Sequence, residues 1–144
     1  MKIDVKDIDD TPKLLAHLQA VLADTGSVVG DYLAMMIRRR IEKQDPAWPA
    51  KATSTLNSKA YGYGAKWKLW VQTGELQRLI TARVERGFPT MVKVGIFDHE
   101  KAQIAYWIET GTTKMPARPL FAVVADEEVE RVVTIARTEL RKRI

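Results

Sequence analysis

Residues 104–121 read IAYWIETGTTKMPARPLF, and this run limits the folds open to the chain more than any other stretch. An apolar helical turn ends in an acid and a glycine. Gly111 supplies the left-handed residue that commonly closes a helix. A polar turn follows, and then Pro116 and Pro119 bracket Arg118. Two prolines three residues apart restrict the backbone and lower the entropy that the unfolded segment has to lose. Arg118 is therefore expected on a rigid arch, with its planar fork free to make a two-point contact. Its partner is either an acid of the same chain, with Glu109 the first candidate, or a carboxylate on a neighbouring subunit.

Periodicity sets the remaining elements. Thr11 and Pro12 suit a helix start. Leu15, Leu18, Leu22, Val29, Leu33 and Met36 then recur at three- and four-residue steps or their sum. Asp24-Thr25-Gly26-Ser27 interrupts the pattern, and a break or kink is expected there, with Ser27 capping a second helix. Arg38, Arg39, Arg40 and Lys43 close that helix, where cations complement the dipole. They are expected to be mostly solvated. Residues 45–72 show no period but carry Trp48, Tyr61, Tyr63, Trp67 and Trp70, and read as a long mobile loop. Those aromatics either meet a partner surface or, for Trp48 and Trp70, anchor the loop ends on the core.

A short helical turn is expected at residues 73–76. Residues 79–85 and 91–97 then have strand character, and with the turn at 87–90 they read as a β-hairpin. A short helix over 101–109 is expected to bury Ile104, Ala105 and Ile108. After Pro119 a terminal helix carries an apolar stripe of Val129, Val132, Val133, Ala136 and Leu140. Its acids lie early and its bases late, in the order the dipole favours, with Glu127/Arg131 and Glu139/Arg143 as four-apart pairs. The fold class expected is α+β: amphipathic N-terminal helices, a small antiparallel sheet with a β-hairpin, and a C-terminal helix packed on the sheet. Residues 1–144 are read as a single domain.

The chemistry available is narrow. The chain has no cysteine, which excludes disulfides and thiolate metal sites. His17 and His99 are its two imidazoles, and neither has ligand spacing around it. No nucleophile elbow, phosphate loop or zincin motif is present, so no metal, cofactor or catalytic residues are expected and the chain is not read as an enzyme. Its first residues lack the apolar region of a secretory signal. No apolar run is read as approaching the roughly 18 residues that a membrane span needs, so no membrane partner is expected and the cytoplasm is the default address. The net charge is +5. Basic clusters at 38–40, 66–68 and 141–143 leave nucleic acid as an alternative partner, not the favoured one, because they lie on separate elements.

Taken in order, the pieces carry a resemblance. They are Asp45-Pro46-Ala47-Trp48, then Leu69 and Thr73-Gly74-Glu75-Leu76, then Val94-Gly95. Ala105-Tyr106-Trp107-Ile108-Glu109 with Gly111-Thr112 follows, and Met115-Pro116-Ala117-Arg118-Pro119-Leu120-Phe121 completes the series. In order and approximate spacing this is similar to the phage virion morphogenesis proteins, which complete tails or join heads to tails. The resemblance covers roughly residues 28–125. Leu120 stands where the family commonly has Phe, and Trp107 and Glu109 stand in a turn that often carries His-Gln. The resemblance implies a structural protein of the virion tail or neck, present in the host cytoplasm during assembly. It implies self-association into a ring, often sixfold, and contact with other tail, neck or connector proteins. Trp48, Tyr61, Tyr63, Trp67, Trp70, Glu109 and Arg118 are the candidate interface residues. The alternative is a basic nucleic-acid-binding protein.

Overall fold

The computed structural model describes residues 11–51, 68–71 and 74–144. In chain order the elements are α1 (Thr11–Lys43), α2 (Glu75–Leu79), β1 (Thr81–Glu85), β2 (Met91–Gly95), α3 (His99–Thr110) and α4 (Phe121–Arg143). The fold class is α+β as expected. A long N-terminal helix and a C-terminal helix accompany a two-stranded antiparallel sheet, with Thr81 opposite Gly95 and Glu85 opposite Met91.

The expected break at residues 24–27 is absent. α1 is one helix of 33 residues. Its two glycines serve packing and not chain reversal. A Cβ on Gly26 would lie 2.9 Å from a Val92 methyl, and one on Gly30 would lie 2.6 Å from the Ala82 Cβ. Four residues apart, they share one helical face, and the hairpin seats directly on it. Each glycine weakens the helix by about 1 kcal/mol relative to alanine, an amount offset by the closer approach of Ala82, Val84 and Val92. Asp24 and Ser27 sit on the solvent side of the same turn.

Strand alternation places Ala82, Val84, Val92 and Val94 toward α1, while Thr81, Arg83, Glu85, Met91 and Lys93 are exposed. On that outer face Lys93 pairs with Glu85 at 2.6 Å and Arg83 lies 4.1 Å over the Phe97 ring. The first strand begins two residues later than expected. Leu79 closes α2, and Ile80, fully buried, belongs to the core with Ile41 and Leu120. That core lies where the second half of α1, the α2–β1 link and the first turn of α4 meet.

α4 runs along α1, and its first turns meet the sheet through Phe121 and Val94. The expected apolar stripe is rotated in part: Val132, Ala136 and Leu140 are half-buried as expected. Val124 is buried, whereas Val129 is 55% and Val133 41% exposed. Polar contacts explain the rotation. Tyr32 of α1 donates to Glu128, and Arg40 pairs with Glu127, so this face of α4 is turned toward α1. Glu127 thus meets Arg40 across the helix interface. The Glu139/Arg143 pair forms at 3.2 Å.

The expectation of a mostly solvated Arg38–Arg40 cluster also fails. Arg38 donates to the Ile80 carbonyl, and Arg40 holds both Glu127 and, at 2.6 Å, Asp45. Only Arg39 of the three is exposed. The Ala47 N–H, and after it the Arg40 guanidinium, hold the Asp45 carboxyl below the usual carboxylate range. α3 forms as expected, capped by Asp98, which accepts from the Lys101 N–H at 3.0 Å. It buries Ala105 and half-buries Ile108, but Ile104 faces solvent. α1 also bears on the membrane expectation. Over an 18-residue window it is long and apolar enough to cross a membrane by length and composition. Here Val21, Val29, Ala34 and Ile37 of that helix are buried, whereas Leu14, Leu15 and Met35 are exposed.

Candidate functional site

The segment from Gly111 to Phe121 crosses from α3 to α4 and gathers four of the candidate residues. Gly111 ends α3, its N–H donating to the Trp107 carbonyl at 2.8 Å. It has φ 79° and ψ 170°, so it turns the chain without entering the left-handed helical well. Only glycine fits: a Cβ would lie 2.7 Å from the Ala117 nitrogen. Residues 112–115 form a tight turn, closed by Thr112 N–H to the Met115 carbonyl at 2.8 Å. The Arg118 N–H then returns to the Ile108 carbonyl at 2.8 Å, which ties the arch to the helix it left.

Arg118 is buried, at 6% exposed. Its Nε donates to the Pro49 carbonyl at 2.9 Å and its second terminal nitrogen to the Ala50 carbonyl at 3.0 Å. The two-point contact is therefore made within the chain, but to backbone carbonyls and not to Glu109. Burial pushes the Arg118 pKa down from its ordinary value, which reflects the cost of desolvating the charge that these carbonyls offset. Glu109 has a different task. One carboxylate oxygen accepts from Leu120 N–H at 2.7 Å and Phe121 N–H at 3.1 Å, and the other accepts from Ala122 N–H at 3.0 Å. It satisfies three N–H groups at the start of α4, which lacks a side-chain cap of its own.

Both tryptophans close on the same arch. The Trp48 indole donates to the Pro119 carbonyl at 2.7 Å and the Trp70 indole to the Arg118 carbonyl at 3.1 Å. An indole is a donor only, so each satisfies a carbonyl that burial would otherwise leave without water. Trp70 also meets the Phe121 ring edge-on, at 5.8 Å between centroids. Its backbone lies at φ 67°, a left-handed value unusual for a bulky residue. The surrounding contacts over-determine that conformation. Trp48 and Trp70 are both buried, so the ends of the 45–72 stretch are anchored on the core. Tyr61, Tyr63 and Trp67 lie outside the described residues.

Gln44 was not singled out from sequence, and Asp45 was read only as part of the Asp45-Pro46-Ala47-Trp48 run. Gln44 has φ 56° and ends α1. Its amide pairs with Leu69 like a strand neighbour, accepting from the Leu69 N–H at 2.7 Å and donating to the Leu69 carbonyl at 3.0 Å. Asp45 accepts from Ala47 N–H at 2.9 Å and shapes the turn that delivers Trp48. The run Gln-Asp-Pro after a basic helix end was the available signal, through its turn-forming Asp. Among the described residues, no three His, Asp or Glu side chains come together in a way that could hold a metal.

Replacing Glu109 by alanine is expected to lower folding stability by about 1–2 kcal/mol, the usual effect of losing a helix cap that serves buried donors. Glu109→Gln, which keeps one acceptor, should lose less. Urea unfolding of the two variants measures the difference.

The chain matches no family model, no curated protein and no solved structure.

Proposed function

We propose that the chain is a structural morphogenesis protein of a tailed phage, completing the tail or joining head and tail as a ring at the neck or tail end. The observation that carries this reading is spatial. Trp48, Trp70, Glu109 and Arg118 come from segments whose order resembles that family, and their side chains converge on one arch. Residues under a single structural demand are expected to travel together in such a pattern. The arch in turn fixes α3, which leaves Ile104, Tyr106 and Trp107 exposed, the last two at 61% and 46%. An exposed aromatic pair on a rigidly held helix suits a contact with another subunit. The site works by holding surfaces in place and not by chemistry.

Tyr106→Ala combined with Trp107→Ala is expected to abolish self-association while shifting the melting temperature of the monomer by no more than a few degrees. Sedimentation beside a thermal melt reads both quantities. A second measurement separates this function from the nucleic-acid alternative. Rings should persist as salt is raised, with no DNA affinity. Loss of DNA binding along a steep salt slope, with no rings at any concentration, would favour the alternative. Intrachain partners already engage Arg38, Arg40 and Arg143, which removes part of the basic surface that the alternative needs.

A further inference from the structure

α4 keeps part of its apolar stripe uncovered. Val129 and Val133 lie one turn apart on one face, and both are exposed. A flank of charge borders them. Asp126, Glu130, Arg137 and Arg141 run along one side of the helix, and all four are exposed. The ion pairs that α4 makes within the chain use Glu127, Glu139, Lys142 and Arg143 instead. Among the described residues the four flank charges join none of these pairs.

Within one copy the order of these charges is unfavourable. Asp126 stands one turn from Glu130, and Arg137 one turn from Arg141. Like charges at that spacing repel. The helix dipole acts only over the first and last turns. Glu130 is the tenth residue of α4 and Arg137 the seventh from its end, so the dipole does not account for them.

An antiparallel copy of the same helix resolves the pattern. Glu130 and Arg137 lie three and four residues to either side of Val133, and Asp126 and Arg141 lie seven and eight. With a two-fold axis beside Val133, Glu130 faces Arg137 of the second copy and Asp126 faces its Arg141, each pair occurring twice. Val133 meets its own equivalent, and Val129 meets Ala136 of the second copy. A parallel arrangement would set acid on acid and base on base. We propose that two copies of the chain pack α4 against α4, antiparallel about a two-fold axis at Val133, with these ion pairs flanking the apolar stripe. Such a contact is isologous: it joins two copies and stops there. It is therefore distinct from the α3 contact of the proposed function and does not depend on it. A single helix pair offers less than the roughly 800 Å² per partner of a standard interface. The pairing is thus weak in the free protein and is read by covalent capture, not by sedimentation.

The chain has no cysteine, so a single introduced thiol reports the contact. Helices pack with axes about 8–10 Å apart, and with Cα atoms about 2.3 Å from each axis the two residue-133 positions come within disulfide reach. Full-length Val133→Cys, oxidised with diamide, is expected to form a disulfide dimer about tenfold faster than Thr134→Cys, also an exposed position but about 100° round the helix. Glu130→Arg or Arg137→Glu, added to Val133→Cys, should each slow capture about tenfold, because two attractive pairs become repulsive. Mixed with each other, those two variants should regain the rate, since every pair between them is again of opposite sign. Recovery on mixing also excludes misfolding as the cause of the slow rates. Equal capture at positions 133 and 134, or no recovery on mixing, would overturn the inference. So would slow alkylation of the Val133→Cys thiol in a monomer, which would show the stripe covered within its own chain. Capture that persists when Tyr106→Ala and Trp107→Ala are added would support the α4 pair whatever becomes of the ring. Intact rings with no capture would overturn the pair and leave the neck reading standing.

Discussion

Arg118→Lys is expected to lower the melting temperature of the isolated chain nearly as far as Arg118→Ala. The guanidinium makes two bonds at a fixed angle, to the Pro49 and Ala50 carbonyls, from a buried position. Alanine leaves both carbonyls without a donor. Lysine keeps the charge but can reach one of them at a time, and it buries a more strongly hydrated cation. Each lost charged bond to a buried acceptor is worth about 1.5–3 kcal/mol, so the alanine variant should lose roughly 3 kcal/mol or more. At this chain length that is on the order of 10 °C in a thermal melt. A lysine variant that melts like the wild type would show that the fork geometry does not matter. An unchanged melt in both variants, together with failed assembly, would move the important partner of Arg118 to another subunit.

Gly30→Ala should destabilise the fold although alanine is the better helix former. The added carbon would lie 2.6 Å from the Ala82 Cβ and 3.0 Å from a Val92 methyl. A Cβ cannot rotate away, so the hairpin has to lift from α1. Overpacking of this kind costs about 1–3 kcal/mol, against a propensity gain of about 1 kcal/mol, and a net loss near 1–2 kcal/mol follows. Gly26→Ala should lose less, since its tightest contact is a Val92 methyl at 2.9 Å that can shift. Ala82→Gly added to Gly30→Ala should restore part of the loss, the signature of two sites in contact. If Gly30→Ala raises the urea midpoint, the close approach of hairpin and helix is wrong.

These cases show where the sequence was informative. The hairpin was legible because its pattern is local: alternating residues on two short runs around Gly87 and Pro89. Anchoring by Trp48 and Trp70 was legible as one of two alternatives, since large aromatics at the ends of an aperiodic stretch have few other uses. The continuity of α1 was not legible. The run Asp24-Thr25-Gly26-Ser27 looks like a breaker until the hairpin is placed against Gly26 and Gly30, and nothing near them in sequence shows it. The rotation of α4 was missed for a related reason. Val129 and Val133 are apolar, but Tyr32 and Arg40, about ninety residues earlier, turn Glu128 and Glu127 toward α1 instead. The partner of Arg118 was the hardest to foresee. An acid such as Glu109 advertises itself by its side chain, whereas the carbonyls of Pro49 and Ala50 have no sequence signature.

The proposed assembly role is tested most directly by electron microscopy of phage particles produced without this chain. The reading predicts filled heads beside detached tails of normal length if the chain joins them, or overlong tails if it terminates them, with infectivity restored when the protein is supplied. Normal, infectious particles in its absence would contradict the account.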